Sequence, residues 1–319
     1  MLKPLLDYPL QEINQWRFNS HPMQQPVVIA GAPRSGTSWL FEMLMRMIPR
    51  SLGLWEPLRM SKYPRMRELT YTMRPYLPPD NNNTDYIKFF ADLLSGRNAR
   101  IDTIYRGYPL HLLNYFLPRP RLLIKFVRAN RILPWLLERF SPGMVFLIIR
   151  HPCAVVASQL NHPSWNPQKI LNDQRYPIVN REFLDRLPQV EPLLKKRLTP
   201  EEKMAVTWGF DYYIPLFHLK HPRVKVIPYE RLVTHGAAEL DGIARRLNVD
   251  PPQQPDQLLK KPSRASSPAR LDRDPSTLNH WKHHLSPDQI KRVLEVTHRF
   301  GLDFYTDQPE PDYDKMGLQ

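Results

Sequence analysis

The sequence predicts an α/β fold in which a central parallel sheet is flanked by helices. The main observation is the order of elements in residues 27–44: an apolar run, a loop of small residues, and then apolar residues at helical spacing. A second apolar run, residues 144–149, is also followed by a helical pattern. Apolar runs without alternation are typical of parallel strands that are buried on both faces of a sheet.

Further apolar runs predict the remaining strands and helices. Strands are expected just before Glu56, at residues 121–128 and at residues 223–227. Helical spacing marks the segments 85–94, 104–117, 132–140, 200–217, 239–247 and 290–300. Two of these helices are preceded by capping boxes, which begin at Thr199 and at Ser286.

Length and composition limit the class of protein. The chain has 319 residues, of which 42% are hydrophobic, and this is enough for a packed core. No stretch approaches the roughly 20 apolar residues of a membrane-spanning helix, and the first residues show no apolar signal segment. The lone cysteine, Cys153, excludes an internal disulfide and suits a reducing compartment, so we expect the protein in the cytoplasm.

The formal net charge of +14 at pH 7 suits an anionic ligand, and it would also suit an anionic acceptor or a membrane surface. Nucleic acid would be attracted by the same charge. The sequence has no zinc-ligand spacing, RNA-binding signature or helix-turn-helix pattern, so no nucleic-acid partner is expected.

The loop after the first strand has the composition of an anion cradle. It reads Gly31-Ala32-Pro33-Arg34-Ser35-Gly36-Thr37-Ser38. Loop N–H groups and the start of the following helix converge on a phosphate-like group. The spacing is similar to the GxxxxGK[ST] phosphate loop, but Thr37 occupies the position of the lysine that reaches nucleotide phosphates. A nucleotide or sugar kinase is therefore an alternative function, but this sequence lacks the central cation that such a kinase needs.

Residues 33–40, PRSGTSWL, resemble the PRSGTT or PKSGTTWL loop of sulfotransferases, which holds the 5′-phosphosulfate of 3′-phosphoadenosine 5′-phosphosulfate (PAPS). Residues 150–158 resemble a second element of that family, RxPxxxxxS, in which the arginine and serine bind the 3′-phosphate. Arg150 and Ser158 match this element. A guanidinium fork and a hydroxyl donor suit a phosphate, and open α/β sheets bind ligands at the ends of parallel strands.

The resemblance implies a P-loop NTPase-like sulfotransferase fold and transfer of a sulfuryl group from PAPS to an acceptor hydroxyl or amine. The residues it implies for cofactor binding are Arg34, Ser35, Gly36, Thr37, Ser38, Trp39, Arg150 and Ser158. Tyr229, in a segment similar to the family's YE-x-L element, is expected near the adenine, and Ser263 and Arg264 are expected to close over the 3′-phosphate. No metal is expected, because arginine and lysine would neutralise the phosphates.

The resemblance also implies the catalytic residues. In members with an arginine loop, a glutamate about twenty residues after the loop arginine acts as general base, and Glu56 lies at that distance from Arg34. Cytosolic members carry a lysine and a catalytic histidine in a later strand. Lys125 matches the lysine, whereas Val127 occupies the position of the histidine. Arg34, Glu56 and Lys125 are thus the expected catalytic set.

We expect a single domain over residues 1–319, because both phosphate elements must converge on one ligand. Residues 1–25 are expected to form an N-terminal arm, residues 161–200 an acceptor lid, and residues 307–319 a loose tail. The acceptor is expected to be a small molecule, a glycan or a lipid. The sequence indicates neither which of these it is nor the oligomeric state.

The sequence leaves open the positions of two arginines and whether the protein is a catalyst. Arg128 and Arg131 follow the strand that contains Lys125, and they could contact the ligand or lie on the surface; we expect Arg131 on the surface. Besides the kinase, a basic nucleotide-binding protein without catalysis is a further alternative, which would bind a nucleotide without turnover.

Overall fold

The computed structural model describes residues 25–59, 69, 74–97, 99, 104–105, 107, 113–114, 120–162, 184–217, 220–263 and 275–318. All structural statements below concern these residues. The predicted N-terminal arm up to residue 24, residues 163–183 of the predicted lid, and Arg264 lie outside them.

A parallel sheet lies at the centre of the described part of the chain. Its strands are β1 (Val27–Ala30), β2 (Ser51–Trp55), β3 (Arg121–Phe126), β4 (Met144–Ile149) and β5 (Val224–Pro228). Their order across the sheet is β2-β3-β1-β4-β5, and every neighbouring pair is parallel. The predicted α/β fold with a central parallel sheet is confirmed.

Helices connect and cover the strands. The α-helices are α1 (Thr37–Met47), α2 (Thr84–Leu94), α3 (Leu133–Arg139), α4 (Pro152–Leu160), α5 (Glu191–Leu194), α6 (Pro200–Phe217), α7 (Tyr229–Thr234), α8 (Gly236–Leu247), α9 (Pro255–Lys260) and α10 (Pro287–Arg299). Both predicted capping boxes are present. Thr199 and Glu202 exchange hydrogen bonds of 2.8 and 3.4 Å before α6, and Ser286 and Gln289 cap α10 in the same way.

Alternating strand residues enter two separate hydrophobic cores. In β1, Val28 and Ala30 join a core that also contains side chains of α2, α3, α4, α6 and α10. Val27 and Ile29 join a second core with side chains of α1, α7 and α8. Because β1 and β4 are buried on both faces, they appear in the sequence as continuous apolar runs.

The segment at residues 104–105 runs beside the edge strand β2. Ile104 forms an antiparallel bridge with Leu54, and the Tyr105 N–H donates to the Gly53 carbonyl at 2.9 Å. The helix predicted over residues 104–117 is therefore wrong at its start. Pairing with the open edge of the sheet prevails there over the helical spacing of the apolar residues.

Arg131 is buried, with 1% of its surface exposed, so its predicted surface position is wrong. Its Nε donates to Asp211 Oδ1 of α6 at 3.0 Å, and its guanidinium lies 5.4 Å from the Phe210 ring centroid. A buried arginine requires a compensating carboxylate, and Asp211 lies too far along the chain to be recognised from the sequence.

The C-terminal residues 307–318 make defined contacts, although we expected a loose tail there. The Asp312 N–H donates to the Phe304 carbonyl at 2.8 Å, and the Tyr313 hydroxyl donates to Glu310 at 2.7 Å. The Arg231 guanidinium of α7 lies 5.6 Å from the Tyr313 ring centroid. Aromatic and backbone contacts thus hold a segment whose composition is acidic.

Candidate functional site

The glycine loop and the residues that follow the other strands lie at one edge of the sheet, where the carboxyl ends of the parallel strands meet. The glycine loop (residues 31–38) follows β1, and the side chains that follow the other strands are Glu56 after β2, Arg128 after β3, Arg150 after β4 and Tyr229 after β5. The strand order places the glycine loop between β3 and β4. Open α/β sheets bind their ligands at this edge.

The glycine loop is held by Tyr212 of α6. Tyr212 Oη accepts a hydrogen bond from the Ala32 N–H at 2.9 Å and lies 2.9 Å from Ser35 Oγ. Ser35 is fully buried, and its own N–H donates to the Ala32 carbonyl at 3.1 Å. Ser35 therefore contributes to the shape of the loop, and its expected role in cofactor binding stays a prediction. Tyr212 is missed by the sequence analysis because no local pattern marks it.

The end of the glycine loop forms the start of α1. Gly36 has a φ of 95°, and a Cβ at this position would lie 2.7 Å from the Tyr229 ring, so the position requires glycine. Gly36 is also the N-cap of α1 and supplies no side-chain cap. The first-turn N–H groups, which include those of Thr37 and Ser38, therefore form a positive helix end that favours an anion.

Arg34, Ser158 and Arg150 bring the two predicted phosphate elements into direct contact. Arg34 Nε donates to Ser158 Oγ at 2.9 Å, and Arg150 Nη1 donates to the Arg34 carbonyl at 3.2 Å. Gln159, which the sequence analysis did not single out, donates from Nε2 to the Pro33 carbonyl at 3.1 Å. The segment from the end of β4 to the last turn of α4 is thus joined to the glycine loop by the side chains of Arg150, Ser158 and Gln159.

Arg150 presents a partly unsatisfied guanidinium at this junction. Its Cζ lies 4.2 Å from the Tyr229 ring centroid, and the Tyr229 and Trp39 rings are tilted with centroids 5.5 Å apart. Arg150 Nε is buried and has no hydrogen-bond partner among the described residues. Leaving a buried charged donor without an acceptor is costly, and an anion bound here would supply that acceptor.

On the other side of the glycine loop, Glu56 is the centre of a buried ion-pair cluster. Its Oε1 accepts a hydrogen bond from Lys125 Nζ at 2.6 Å. Its Oε2 accepts from the Val127 N–H at 3.2 Å and from Arg128 Nη1 at 3.3 Å. Glu56 is 6% exposed and has a φ of 54°, a left-handed turn at the end of β2. The structure therefore joins Glu56 to Lys125 and assigns Arg128, which the sequence left open, to the same cluster.

Lys125 is buried beside an aromatic ring. Its Nζ lies 3.8 Å from the Trp55 ring centroid, and 3% of the residue is exposed. Burial lowers the pKa of Lys125, and the adjacent Glu56 carboxylate opposes this shift. The ring and the carboxylate together hold a lysine ammonium at the sheet edge.

Ser263, which we expected at the 3′-phosphate, donates to Glu42 of α1. The distance from Ser263 Oγ to Glu42 Oε1 is 3.3 Å, and Ser263 is 4% exposed. This contact ties the segment before Arg264 to the helix that follows the glycine loop. The sequence gives no indication of it, because an inward-facing glutamate within an apolar helical stripe is not distinguishable from a surface one.

A buried polar layer lies next to Arg150. His151 Nδ1 accepts from the Cys153 N–H at 3.1 Å and caps α4, while Nε2 lies 2.9 Å from the Thr306 carbonyl and donates to it. Burial lowers the pKa of His151 to about 3. The His151 N–H donates to Glu230 at 2.8 Å, and burial raises the pKa of Glu230 to about 7. His151 is therefore neutral in the folded protein.

Among the described residues, no group of three or more His, Cys, Asp or Glu side chains is arranged to hold a metal ion. Within the same ranges, no helix has both the length and the apolar character needed to cross a membrane.

No family model matches the chain, and no curated protein matches it. Similar solved structures include the sulfotransferase domain from the Synechococcus PCC 7002 olefin synthase, with 16% identity, a TM-score of 0.46, and coverage of 88% of this chain and 96% of that chain. The sulfotransferase domain from the curacin biosynthetic pathway has 17% identity and a TM-score of 0.47, with coverage of 88% and 98%. Mouse sulfotransferase SULT7A1 complexed with PAP has 14% identity and a TM-score of 0.42, with coverage of 90% and 88%.

Replacing His151 with Asn should remove the loss of folding stability that His151 causes on acidification. The pKa of His151 is about 3 when folded and about 6.5 in an unfolded chain. The contribution of neutral His151 to the free energy of unfolding is therefore complete above pH 6.5. It is lost as the pH falls, by about 2 kcal/mol between pH 7 and pH 5. Asn retains an N-cap acceptor but does not titrate.

Urea unfolding at both pH values measures this effect. Wild type should lose about 2 kcal/mol more than His151→Asn on acidification. The raised pKa of Glu230 acts in the opposite direction, since its contribution is lost as the pH rises towards 7. Because Glu230 is present in both proteins, the difference between them isolates His151. Equal losses in the two proteins would contradict a neutral buried His151.

Proposed function

We propose that this protein is a PAPS-dependent sulfotransferase that transfers a sulfuryl group to an acceptor hydroxyl or amine. One observation carries the proposal: two segments that each resemble a PAPS-binding element are joined by the 2.9 Å hydrogen bond from Arg34 to Ser158. Two guanidinium groups, a hydroxyl and a helix start then belong to connected segments at one edge of the sheet. Such a donor set suits a ligand with two separate phosphate groups.

The donors can be divided between the two ends of such a ligand. Arg150 and Ser158 would hold the 3′-phosphate, and the buried Arg150 Nε supports this assignment because it needs an acceptor. The glycine loop and the first turn of α1 would hold the 5′-phosphosulfate. Tyr229 and Trp39 would contact the adenine. Arg34 lies between the two ends, because its side chain contacts Ser158 while its backbone belongs to the loop.

Glu56 is the proposed general base. When bound, PAPS supplies the sulfuryl group: the acceptor oxygen bonds to sulfur while the bond from sulfur to the 5′-phosphate oxygen breaks, and adenosine 3′,5′-bisphosphate leaves. The acceptor proton passes to the Glu56 carboxylate, which Lys125, Arg128 and the Val127 N–H hold in position. Lys125 and Arg34 neutralise the charge that develops on the leaving phosphate.

The acceptor is proposed to be a small molecule, a glycan or a lipid, and cytoplasmic location stays a prediction. A kinase function has less support, because Thr37 occupies the position of the lysine that a nucleotide kinase uses.

Replacing Arg150 with Gln should weaken binding of adenosine 3′,5′-bisphosphate by roughly 2–3 kcal/mol, because a charge-assisted pair with the 3′-phosphate is lost. Isothermal titration calorimetry measures the affinity. A matched control is Arg231→Gln, since Arg231 also lies over a tyrosine ring but pairs with Glu239. The control should retain wild-type affinity, and an equal affinity for Arg150→Gln would remove Arg150 from the nucleotide site.

Replacing Glu56 with Gln should lower turnover by about 100-fold or more, because the general base is lost. Its affinity for adenosine 3′,5′-bisphosphate should remain near the wild-type value, which also verifies folding. Turnover is measured with ³⁵S-labelled PAPS and the best acceptor from a panel of phenols, sterols and oligosaccharides. Undiminished turnover would exclude Glu56 as the base.

A further inference from the structure

Glu42 is a buried carboxylate that the proposed reaction does not use. It lies on α1, directly after the glycine loop, and is 1% exposed. Its Oε1 accepts a hydrogen bond from the Tyr105 hydroxyl at 2.5 Å and another from Ser263 Oγ at 3.3 Å. A buried carboxylate is costly unless it is hydrogen-bonded or paired, so its position close to the site calls for a physical explanation.

A continuous series of contacts runs from Glu42 to the proposed base. The Tyr105 ring, held at its hydroxyl by Glu42, stacks on Trp55 with centroids 4.8 Å apart and an interplanar angle of 18°. Lys125 Nζ lies 3.8 Å from the centroid of the same Trp55 ring and 2.6 Å from Glu56 Oε1. The position of Tyr105 therefore affects the ring against which the Lys125 ammonium rests.

The aromatic part of this series is closely packed. Phe41 contacts both Trp55 and Tyr105 edge-on, with centroid distances of 5.5 and 5.3 Å. At Gly53 of β2, a Cβ would lie 2.5 Å from Phe41 Cζ, which shows how close α1 is to the strand. The Tyr105 N–H is also bonded to the Gly53 carbonyl. Trp55 and Tyr105 are thus fixed from the helix, the strand and the backbone.

Glu42 also acts on Lys125 through its charge. Among the described residues, the charged groups that influence Lys125 are Glu56 after β2, Arg128 after β3 and Glu42 on α1. Burial lowers the pKa of Lys125, whereas both carboxylates raise it and Arg128 lowers it. Glu42 therefore favours the protonated ammonium that pairs with Glu56.

We infer that Glu42 is a positioning residue that holds Lys125 against Glu56 through Tyr105 and Trp55, an inference that rests on the proposed sulfuryl transfer. Glu42 itself would touch neither substrate. The Tyr105 and Trp55 rings transmit the position of Glu42 to Lys125. The Glu42 carboxylate also helps to keep Lys125 charged. Helix α1, which begins at the glycine loop, is thereby connected to Glu56, the proposed base on the other side of the site.

Three variants separate position from charge. Glu42→Gln removes the charge, Tyr105→Phe removes the hydrogen bond but keeps the charge, and Glu239→Gln is a matched control. Glu239 is likewise a buried helical glutamate beside a lysine, Lys225, whose Nζ lies 2.7 Å away, but Lys225 is near the start of β5, at the opposite end of the strand from the site.

The first readout does not depend on activity. Trace acetylation with acetic anhydride, followed by mass spectrometry across a pH series, gives the titration midpoint of Lys125. Glu42→Gln should lower this midpoint more than Tyr105→Phe does, because only Glu42→Gln removes the charge, and Glu239→Gln should leave it unchanged. The same midpoint in Glu42→Gln and wild type would overturn the electrostatic part of the inference.

The second readout is turnover with ³⁵S-labelled PAPS. Glu42→Gln and Tyr105→Phe should lower kcat by roughly 10-fold, because the ion pair between Lys125 and Glu56 is misplaced, while the affinity for adenosine 3′,5′-bisphosphate stays within about 2-fold of wild type. Full kcat in Tyr105→Phe would overturn the positioning role, even if Glu42→Gln does not fold. If wild type transfers no label at all, the proposed function fails, whereas the Lys125 midpoint still tests the link to Glu42.

Discussion

The parallel order of the strands is the constraint on which the site depends. Because β1 lies between β3 and β4, the glycine loop after β1 lies beside Lys125 on one side and Arg150 on the other. The register pairs Lys125 with both Ile29 and Trp55, so three strands are level at this point. Residues that are far apart in the chain therefore share one edge, where a ligand can contact all of them.

The two sides of that edge differ in electrostatic balance. On the β4 side, Arg34 donates to the Ser158 hydroxyl and Arg150 donates to the Arg34 carbonyl, in the loop that leads to the positive start of α1. On the β2 side, the Glu56 carboxylate is surrounded by Lys125 and Arg128. The first arrangement attracts an anion and the second holds a carboxylate in a defined orientation. In the proposed reaction, donor binding and proton removal would therefore fall to separate groups on one sheet edge.

The sequence predicts the parts of this structure that local chemistry determines. Apolar runs identify the strands because both faces of the sheet are buried, and the capping boxes at Thr199 and Ser286 mark helix starts. Arg34, Arg150 and Ser158 are recognisable because their segments resemble two elements of sulfotransferases, and the structure brings these segments together.

Contacts between distant segments could not be predicted in this way. Tyr212 supports the glycine loop from α6, and Arg131 is buried because Asp211 compensates its charge. Glu42 and Tyr105 meet only because residues 104–105 pair with the edge of β2. None of these residues has a neighbour in sequence that reveals its partner. The sequence therefore identifies the two segments that resemble PAPS-binding elements. The side chains that hold these segments in place are identified only by the tertiary structure.

The central claim is that this edge of the sheet binds a nucleotide with both a 3′- and a 5′-phosphate. The most direct measurement is calorimetric titration of the wild-type protein with adenosine 3′,5′-bisphosphate, with AMP, and with ATP in the presence of Mg²⁺. We expect tight binding of the bisphosphate and much weaker binding of AMP and ATP, because only the bisphosphate would reach Arg150 and Ser158 together with the glycine loop. A preference for ATP, or no binding of any of the three, would contradict it.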